Sequence, residues 1–277
     1  MPGTTTQTDI IERTIHIDAK PETVYALLSD PDRMAGWSGR SVTMDPRPGG
    51  LFRIDYNGFD IMRGEFVELD PPSRVVFTWG WESLADQTRP GASTVTVTLE
   101  PEAGGTRLHL RHEGLAEMDL QGHGEGWDFF LGRLATVAAG GTLEEIAPPL
   151  TAAGEYASKL NALLVQARFA IEAIPDAKWK ATTSENRAVN ALAGHIADHI
   201  GVLQIAQGIL SGEPSAFANV TLDDLEVRNA ERDAAQAAVT RDEVLGAIRT
   251  NGPQAVEAIK AMSDADLSAS MPMAFAG

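Results

Sequence analysis

The chain has 277 residues, 43% of them hydrophobic, and a formal net charge of -17 at pH 7. Its length fits two domains of about 100–150 residues, and its apolar content is sufficient for their cores. The negative charge would repel nucleic acid and anionic membranes, so neither is expected as a partner. Cysteine is absent, which excludes disulfides and thiolate metal sites. The sequence shows no secretory signal and no apolar run of 18 residues, so we expect a cytoplasmic protein.

Residues 1 to about 120 alternate between apolar and polar side chains, as half-buried strands do. One early helix is predicted over DAKPETVYALLSDPDRMAGW, with Asp18 as its cap. A second helix is predicted from Gly126, where the apolar spacing becomes helical. Turn residues separate six predicted strands of an antiparallel meander, in the segments IERTIHID, GGLFRIDY, DIMRGEFVELD, SRVVFTWGWE, STVTVTLEP and GTRLHLRHE.

A meander followed by a long helix predicts an α+β fold in which a curved antiparallel sheet grips that helix. The space left between the sheet and the helix near Trp127 is the expected site for a small apolar ligand. Plain core packing is the alternative for each aromatic residue. The candidate ligand-binding residues are Trp37, Phe52, Phe66, Phe77, Trp79, Trp81, His112, Trp127 and Phe130.

His112, Glu113 and His123 lie near the turn from the sheet to the second helix, at a candidate cavity mouth. An acid–base role would require one of them to point inward with a shifted pKa. A polar rim or a capping network is the alternative. No catalytic residue is assigned from the sequence.

Four segments of the first half carry a resemblance: GGLFRIDYNG, GEFVELDPPSRVVFTWGWE, STVTVTLEPEAGGTRLHLRHEGL and GHGEGWDFFLGRLATVAAG. Together they resemble the START-like SRPBCC superfamily, in the branch of the heat-shock-protein-90 ATPase activator. The resemblance covers nearly all of residues 8–145 and implies a helix-grip domain over residues 1–147. It implies binding of a small apolar molecule, with a chaperone-ATPase-activator-like interaction as a further alternative.

The second domain, residues 148–277, is predicted to be an all-α up-down bundle that follows a Pro-Pro break. Its helical segments are predicted at 152–173, 185–210, 222–239 and 241–261. The bundle is expected to be an accessory domain, and a homodimer through it is an open alternative. In the second segment, an apolar stripe is predicted from Val189, Leu192, Ile196, Ile200, Leu203 and Leu210.

His195 and His199 lie four residues apart on that segment, so both imidazoles could reach one metal ion. A metal centre needs at least three protein ligands, which this pair does not supply. Two partly buried, hydrogen-bonded histidines are therefore the alternative.

The segment AIPDAKWKATTSENRAVNALAGHIADHIGVLQIAQGILSGEP resembles the first half of a DinB-like bundle. The resemblance implies a divalent metal, zinc or nickel, held by three histidines, of which His195 carries over and His199 is the weaker candidate. The family's last helix, with its histidine pair, would follow residue 277, so we expect an incomplete site and no certain cofactor. A metal-dependent thiol transferase or hydrolase is the alternative function.

Overall fold

A computed structural model describes residues 10–85, 88–184, 188–210 and 238–268, together with Val227, Glu231 and Ala235. The chain divides into two compact units, Met1–Pro149 and Leu150–Gly277. Within the described residues, no helix is both long enough and apolar enough to cross a bilayer.

The first unit contains a seven-stranded antiparallel sheet in the order β1-β7-β6-β5-β4-β3-β2. One more strand is present than the sequence predicted. The additional strand, β2, has only four residues, too few for an alternating pattern to stand out. The strands are β1 Ile10–Ile17, β2 Ser41–Met44, β3 Leu51–Asp55, β4 Ile61–Asp70, β5 Arg74–Trp79, β6 Ser93–Glu102 and β7 Gly105–Glu113.

The sheet bends in the middle of β4. The pairing register between β4 and β5 shifts between Phe66 and Glu68, and such a bulge increases the local twist of a strand. Just before it, Gly64 is buried where the β5 backbone comes close. The curvature turns one face of the sheet toward the helices.

Two short helices, not one, follow β1. They are α1 Pro21–Ser29 and α2 Pro31–Ser38. The prediction of a single helix was wrong because Pro31 begins a new helix and Asp30 caps it, accepting a hydrogen bond from the Arg33 backbone N–H at 3.0 Å. The prediction of Asp18 as the first cap was also wrong, since Lys20 occupies that position.

The long helix α3, Leu120–Ala138, begins six residues before the predicted start at Gly126. Its first turns contain three glycines, which weaken the helical signal in the sequence. Leu131 and Leu134 are buried in the core shared with the sheet. Arg13 of β1 holds the helix through Asp128, with Nε–Oδ1 and Nη2–Oδ2 distances of 2.5 and 3.1 Å.

The second unit contains the helices α4 Ala152–Ala173, α5 Val189–Leu210, α6 Arg241–Lys260 and α7 Asp264–Ser268. No strand longer than an isolated bridge occurs in its described part. The predicted segment 222–239 lies almost entirely outside the described residues.

The buried face of α5 differs from the predicted stripe. Ala193, Ala197 and Ile200 are buried, whereas Ile196 is 39% exposed. Most of the described residues on this buried face are small, and small side chains let the helix pack closely against α6. The side chains of Leu203 and Leu210 lie outside the described residues.

Replacing Thr240 by alanine is expected to destabilise the second unit by about 1 kcal/mol, because it removes the capping box of α6. The Thr240 hydroxyl accepts from the Glu243 backbone N–H, and the Glu243 carboxylate accepts from the Thr240 backbone N–H at 2.8 Å. Urea unfolding checks this loss. Thr240→Ser, which keeps the hydroxyl, should lose less than half as much, and an equal loss would contradict the capping argument.

Candidate functional site

The space between the sheet and α3 is small and apolar. Its volume is about 40 Å³, whereas pockets for small organic ligands usually measure about 300–1,000 Å³. It has room for about three water-sized spheres. Its aromatic lining consists of Trp37, Phe52, Tyr56, Phe77, Trp79, Trp127 and Phe130. This inner cavity alone does not hold a small organic molecule.

A larger outer cavity, of about 490 Å³, lies where the first half of α3 faces the end of β5 and the loop after β3. Tyr56, Trp79, Trp127 and Phe130 line both cavities, so the outer one adjoins the inner one. Its full lining is Tyr56, Asp60, Trp79, Trp81, Met118, Asp119, Gly122, His123, Gly126, Trp127 and Phe130. Ligand-sized space is therefore present at the mouth, not deep between the sheet and the helix.

The predicted ligand-binding residues separate into four groups. Seven line a cavity: Trp37, Phe52 and Phe77 the inner one, Trp81 the outer one, and Trp79, Trp127 and Phe130 both. Phe66 and His112 line neither. Phe66 is 1% exposed and stacks on Phe52, with ring centroids 4.9 Å apart, so it packs in the core behind the lining.

Seven residues that line the outer cavity were not among the predicted ligand-binding residues: Tyr56, Asp60, Met118, Asp119, Gly122, His123 and Gly126. A signal existed for Tyr56, which follows Phe52 and Ile54 at the two-residue spacing of one strand face. Met118 and Asp119 both lie in the single turn of 3-10 helix, Glu117–Asp119, that precedes α3. No sequence periodicity indicates that such a turn covers a cavity.

The aromatic rings of the outer cavity contact one another. Tyr56 lies with its ring centroid 5.9 Å from that of Trp81 and 5.0 Å from that of Phe130, and the Trp79 and Trp81 rings are 4.6 Å apart, edge to face. These are favourable geometries for aromatic pairs. The rings hold one another in place before any ligand arrives.

A hydrogen-bonded chain fixes the wall behind these rings. The Trp127 indole N–H donates to Nδ1 of His112 at 3.1 Å, so the His112 proton is on Nε2, which donates to the Ser93 hydroxyl at 2.9 Å. Ser93 then donates to the Trp79 carbonyl at 3.1 Å. These hydrogen bonds link α3 to three strands, orient the Trp127 indole and fix the backbone at Trp79.

His112 is a structural histidine. Its side chain is fully buried, and burial, with a smaller contribution from His123, lowers its pKa to about 3. Both ring nitrogens are already hydrogen-bonded. At neutral pH it is therefore a poor general base, and its role is to position Trp127.

His123 stands at the wall of the outer cavity. Its Nδ1 donates to the Asp119 carbonyl at 2.6 Å, and its ring centroid lies 4.6 Å from that of Trp79. In the neutral ring, Nε2 is then an acceptor only. That atom is buried and has no hydrogen-bond partner among the described residues.

The Tyr56 hydroxyl stays protonated at all ordinary pH values. Burial, and next the negative charge of Asp60, raise the pKa of this phenol well above its usual range. The side chain therefore offers the cavity a neutral hydroxyl that both donates and accepts.

No group of three or more His, Asp or Glu side chains that could hold a metal ion is found in the described part of the chain. His195 is half-buried on α5, and the His199 side chain lies outside the described residues. Among the residues that the structure describes, His195 therefore does not belong to a set of three side chains that could hold a metal ion.

The first unit is a helix-grip-type domain with an aromatic cavity at one end of its long helix. Residues 18–139 match the family described as Activator of Hsp90 ATPase homolog 1-like protein. An AHSA1-like protein from Rhizobium etli is 37% identical, covering 50% of this chain and 88% of its own, with a TM-score of 0.41. The chain belongs to this family through its first unit.

Two further proteins are similar to part of the chain. A protein from Chromobacterium violaceum is 26% identical over 47% of this chain and 97% of its own, with a TM-score of 0.42. An uncharacterized protein from Schizosaccharomyces pombe is 27% identical over 43% of this chain. The match spans only 34% of the yeast protein's length.

Proposed function

We propose that the first unit binds a small, largely apolar molecule in the outer cavity. The observation that carries this proposal is a ligand-sized space lined by five aromatic residues. Such cavities, with a few polar groups among apolar walls, are typical of ligand sites. The buried hydrogen-bonded chain through His112 supports the proposal, because a wall held in place costs less to order on binding.

The test uses Gly126, a cavity-lining residue at which an added Cβ meets no atom within 4 Å. Gly126→Leu should project a side chain into the cavity and obstruct part of it, and its Cβ meets no neighbouring atom. The probe is 2-naphthalenemethanol, an uncharged aromatic alcohol. We expect a Kd of about a millimolar, because the probe has few atoms. The Kd is measured by NMR from the shifts of the Trp81 and Trp127 indole N–H signals.

The matched control is Gly132→Leu on the same helix, where an added Cβ also meets nothing and which does not line the cavity. Both variants replace glycine by a better helix former, which should add about 0.5–1 kcal/mol to stability. Binding should be lost in Gly126→Leu and kept in Gly132→Leu. Equal binding by the two variants, or no saturable binding by the wild type, would refute the proposal.

For the second unit, a DinB-like bundle with a zinc or nickel site at His195 stays a prediction, as do the homodimer and the chaperone interaction. Elemental analysis of the purified chain, with His195→Ala as the comparison, tests the metal. Stoichiometric zinc or nickel that is lost in His195→Ala would support it, and a chain without bound metal would count against the enzyme alternative.

A further inference from the structure

The charged side chains on the wall of the outer cavity are both acidic. They are Asp60 and Asp119, and neither lysine nor arginine occurs among the lining residues. Asp119 is half-buried, and its Oδ2 accepts a hydrogen bond from the Thr88 hydroxyl at 2.5 Å. Asp60 is exposed, and its Oδ2 accepts from the Asn57 amide at 2.7 Å. Among the described residues, neither carboxylate forms an ion pair, so their negative charge is not neutralised locally.

The field of these carboxylates acts inside the cavity. Asp60 is next to an aromatic residue of the lining, because its backbone carbonyl accepts a hydrogen bond from the Tyr56 backbone N–H at 3.0 Å. The charge of Asp60 also adds to burial in raising the pKa of the Tyr56 phenol. Charges beside a low-dielectric wall are screened less than charges in open solvent. A positive charge entering the cavity is therefore attracted to it.

The aromatic walls favour the same sign of charge. The faces of Tyr56, Trp79 and Trp81 carry the negative part of the ring quadrupole, which attracts cations that lie within about 6 Å of the ring centre. Nε2 of His123 adds a buried acceptor with no donor opposite it. A positively charged hydrogen-bond donor would interact favourably with the carboxylates, the ring faces and this imidazole nitrogen. No lysine or arginine among the described residues of the cavity wall supplies such a donor.

We infer that the natural ligand is a protonated amine attached to an apolar or aromatic body. Its ammonium group would lie at Asp119 and Asp60, and its body would pack on Trp81, Tyr56 and Phe130. This inference rests on the proposed function, because it names the chemical class of the molecule in that same cavity. An anionic ligand would be repelled by both carboxylates, and an uncharged ligand would gain no charge attraction from them.

Three naphthalene compounds of nearly equal size test the inference: 2-naphthylmethylamine, 2-naphthalenemethanol and 2-naphthoate. At pH 7 they carry a positive charge, no charge and a negative charge. The amine should bind about tenfold more tightly than the alcohol, the size of effect expected for one partly screened charge pair. The carboxylate should bind more weakly than the alcohol. The readout is again the shift of the Trp81 and Trp127 indole signals.

Asp119→Asn should remove most of the preference for the amine over the alcohol, since the amide keeps the hydrogen bond from Thr88 but not the charge. Glu22→Gln is the control, because it removes an exposed carboxylate on α1, away from the cavity lining, and changes the net charge equally. A preference that persists in Asp119→Asn and in Asp60→Asn would overturn the inference, since it would then arise from the overall charge.

The two proposals fail in different ways. Alcohol and amine binding with equal affinity, both blocked by Gly126→Leu, would overturn the amine inference and leave the cavity as a ligand site. Absence of binding by all three compounds would overturn the proposed function itself. A preference for 2-naphthoate would contradict the inference and indicate an anionic ligand near the start of α3.

Discussion

Acidification from pH 7 to pH 4 is expected to lower the free energy of unfolding by about 3 kcal/mol through His112 alone. The folded state holds the pKa of His112 at about 3, whereas an unfolded histidine has a pKa near 6.5. As the pH falls below 6.5, the unfolded chain takes up a proton that the folded chain refuses. The contribution of His112 to the free energy of unfolding is therefore fully present above pH 6.5 and is lost progressively as the pH falls toward 3.

Urea unfolding at pH 7, 5.5 and 4 measures this effect in the wild type and in His112→Gln. The variant should be less stable at pH 7, because glutamine replaces a well-ordered link between Trp127 and Ser93. Its loss between pH 7 and pH 4 should be smaller than that of the wild type by about 3 kcal/mol. His109→Gln, three residues earlier on β7 and on the opposite face, controls for the loss of any histidine. Parallel pH profiles for wild type and His112→Gln would refute the argument.

Gly64→Ala is expected to destabilise the first unit by about 2–3 kcal/mol, the usual cost of forcing an extra methyl group into a close-packed site. A Cβ at Gly64 would lie 1.7 Å from the Thr78 carbonyl oxygen, a backbone atom that cannot rotate away. The strands β4 and β5 must separate there. The hydrogen bond from the Glu65 N–H to the Thr78 hydroxyl, 2.9 Å long, would be disturbed as well.

Thermal and urea unfolding check this loss against Gly36→Ala. An added Cβ at Gly36, within α2, meets no atom within 4 Å. Alanine there should be neutral or stabilising by up to about 1 kcal/mol, because it raises helix propensity. Equal effects of the two variants would show that the close approach of β4 and β5 does not limit the residue at position 64.

The long strands were predictable because their alternation is a local property. Residues two apart share a face wherever the backbone is extended, and β1, with Ile11 and Ile17 buried, shows this directly. The short β2 and the division of the early helix at Pro31 were not predicted. A strand of only four residues is identified by its pairing with β3. The local sequence pattern does not show that pairing.

The aromatic residues of the site were predicted as a group, but their individual roles were not. Phe66 and Phe77 are directly paired on β4 and β5, yet only Phe77 lines the inner cavity, while Phe66 packs behind Phe52. Both residues have inward-facing positions in the alternation of side chains along their strands, so both are expected in the interior. Which of two interior side chains borders empty space depends on the bulge in β4 and on the position of α3.

The assignment of His112 shows the same limit. Its position on β7 indicated an inward side chain or a polar rim, and the structure places it in a buried site where both ring nitrogens are hydrogen-bonded, to Trp127 and Ser93. These partners are 15 and 19 residues away along the chain. No pattern of spacing could have identified them.

The sequence by itself determined the order of the six longer strands, the presence of a long helix after them and the aromatic character of the interior of the first unit, because alternation, turn residues and helical spacing act over a few neighbouring residues. Only the tertiary structure decided where ligand-sized space remains and that Asp60 and Asp119 border it. That space depends on how far α3 lies from a sheet bent at β4. Such a distance results from packing among residues far apart in the chain, which no short segment encodes.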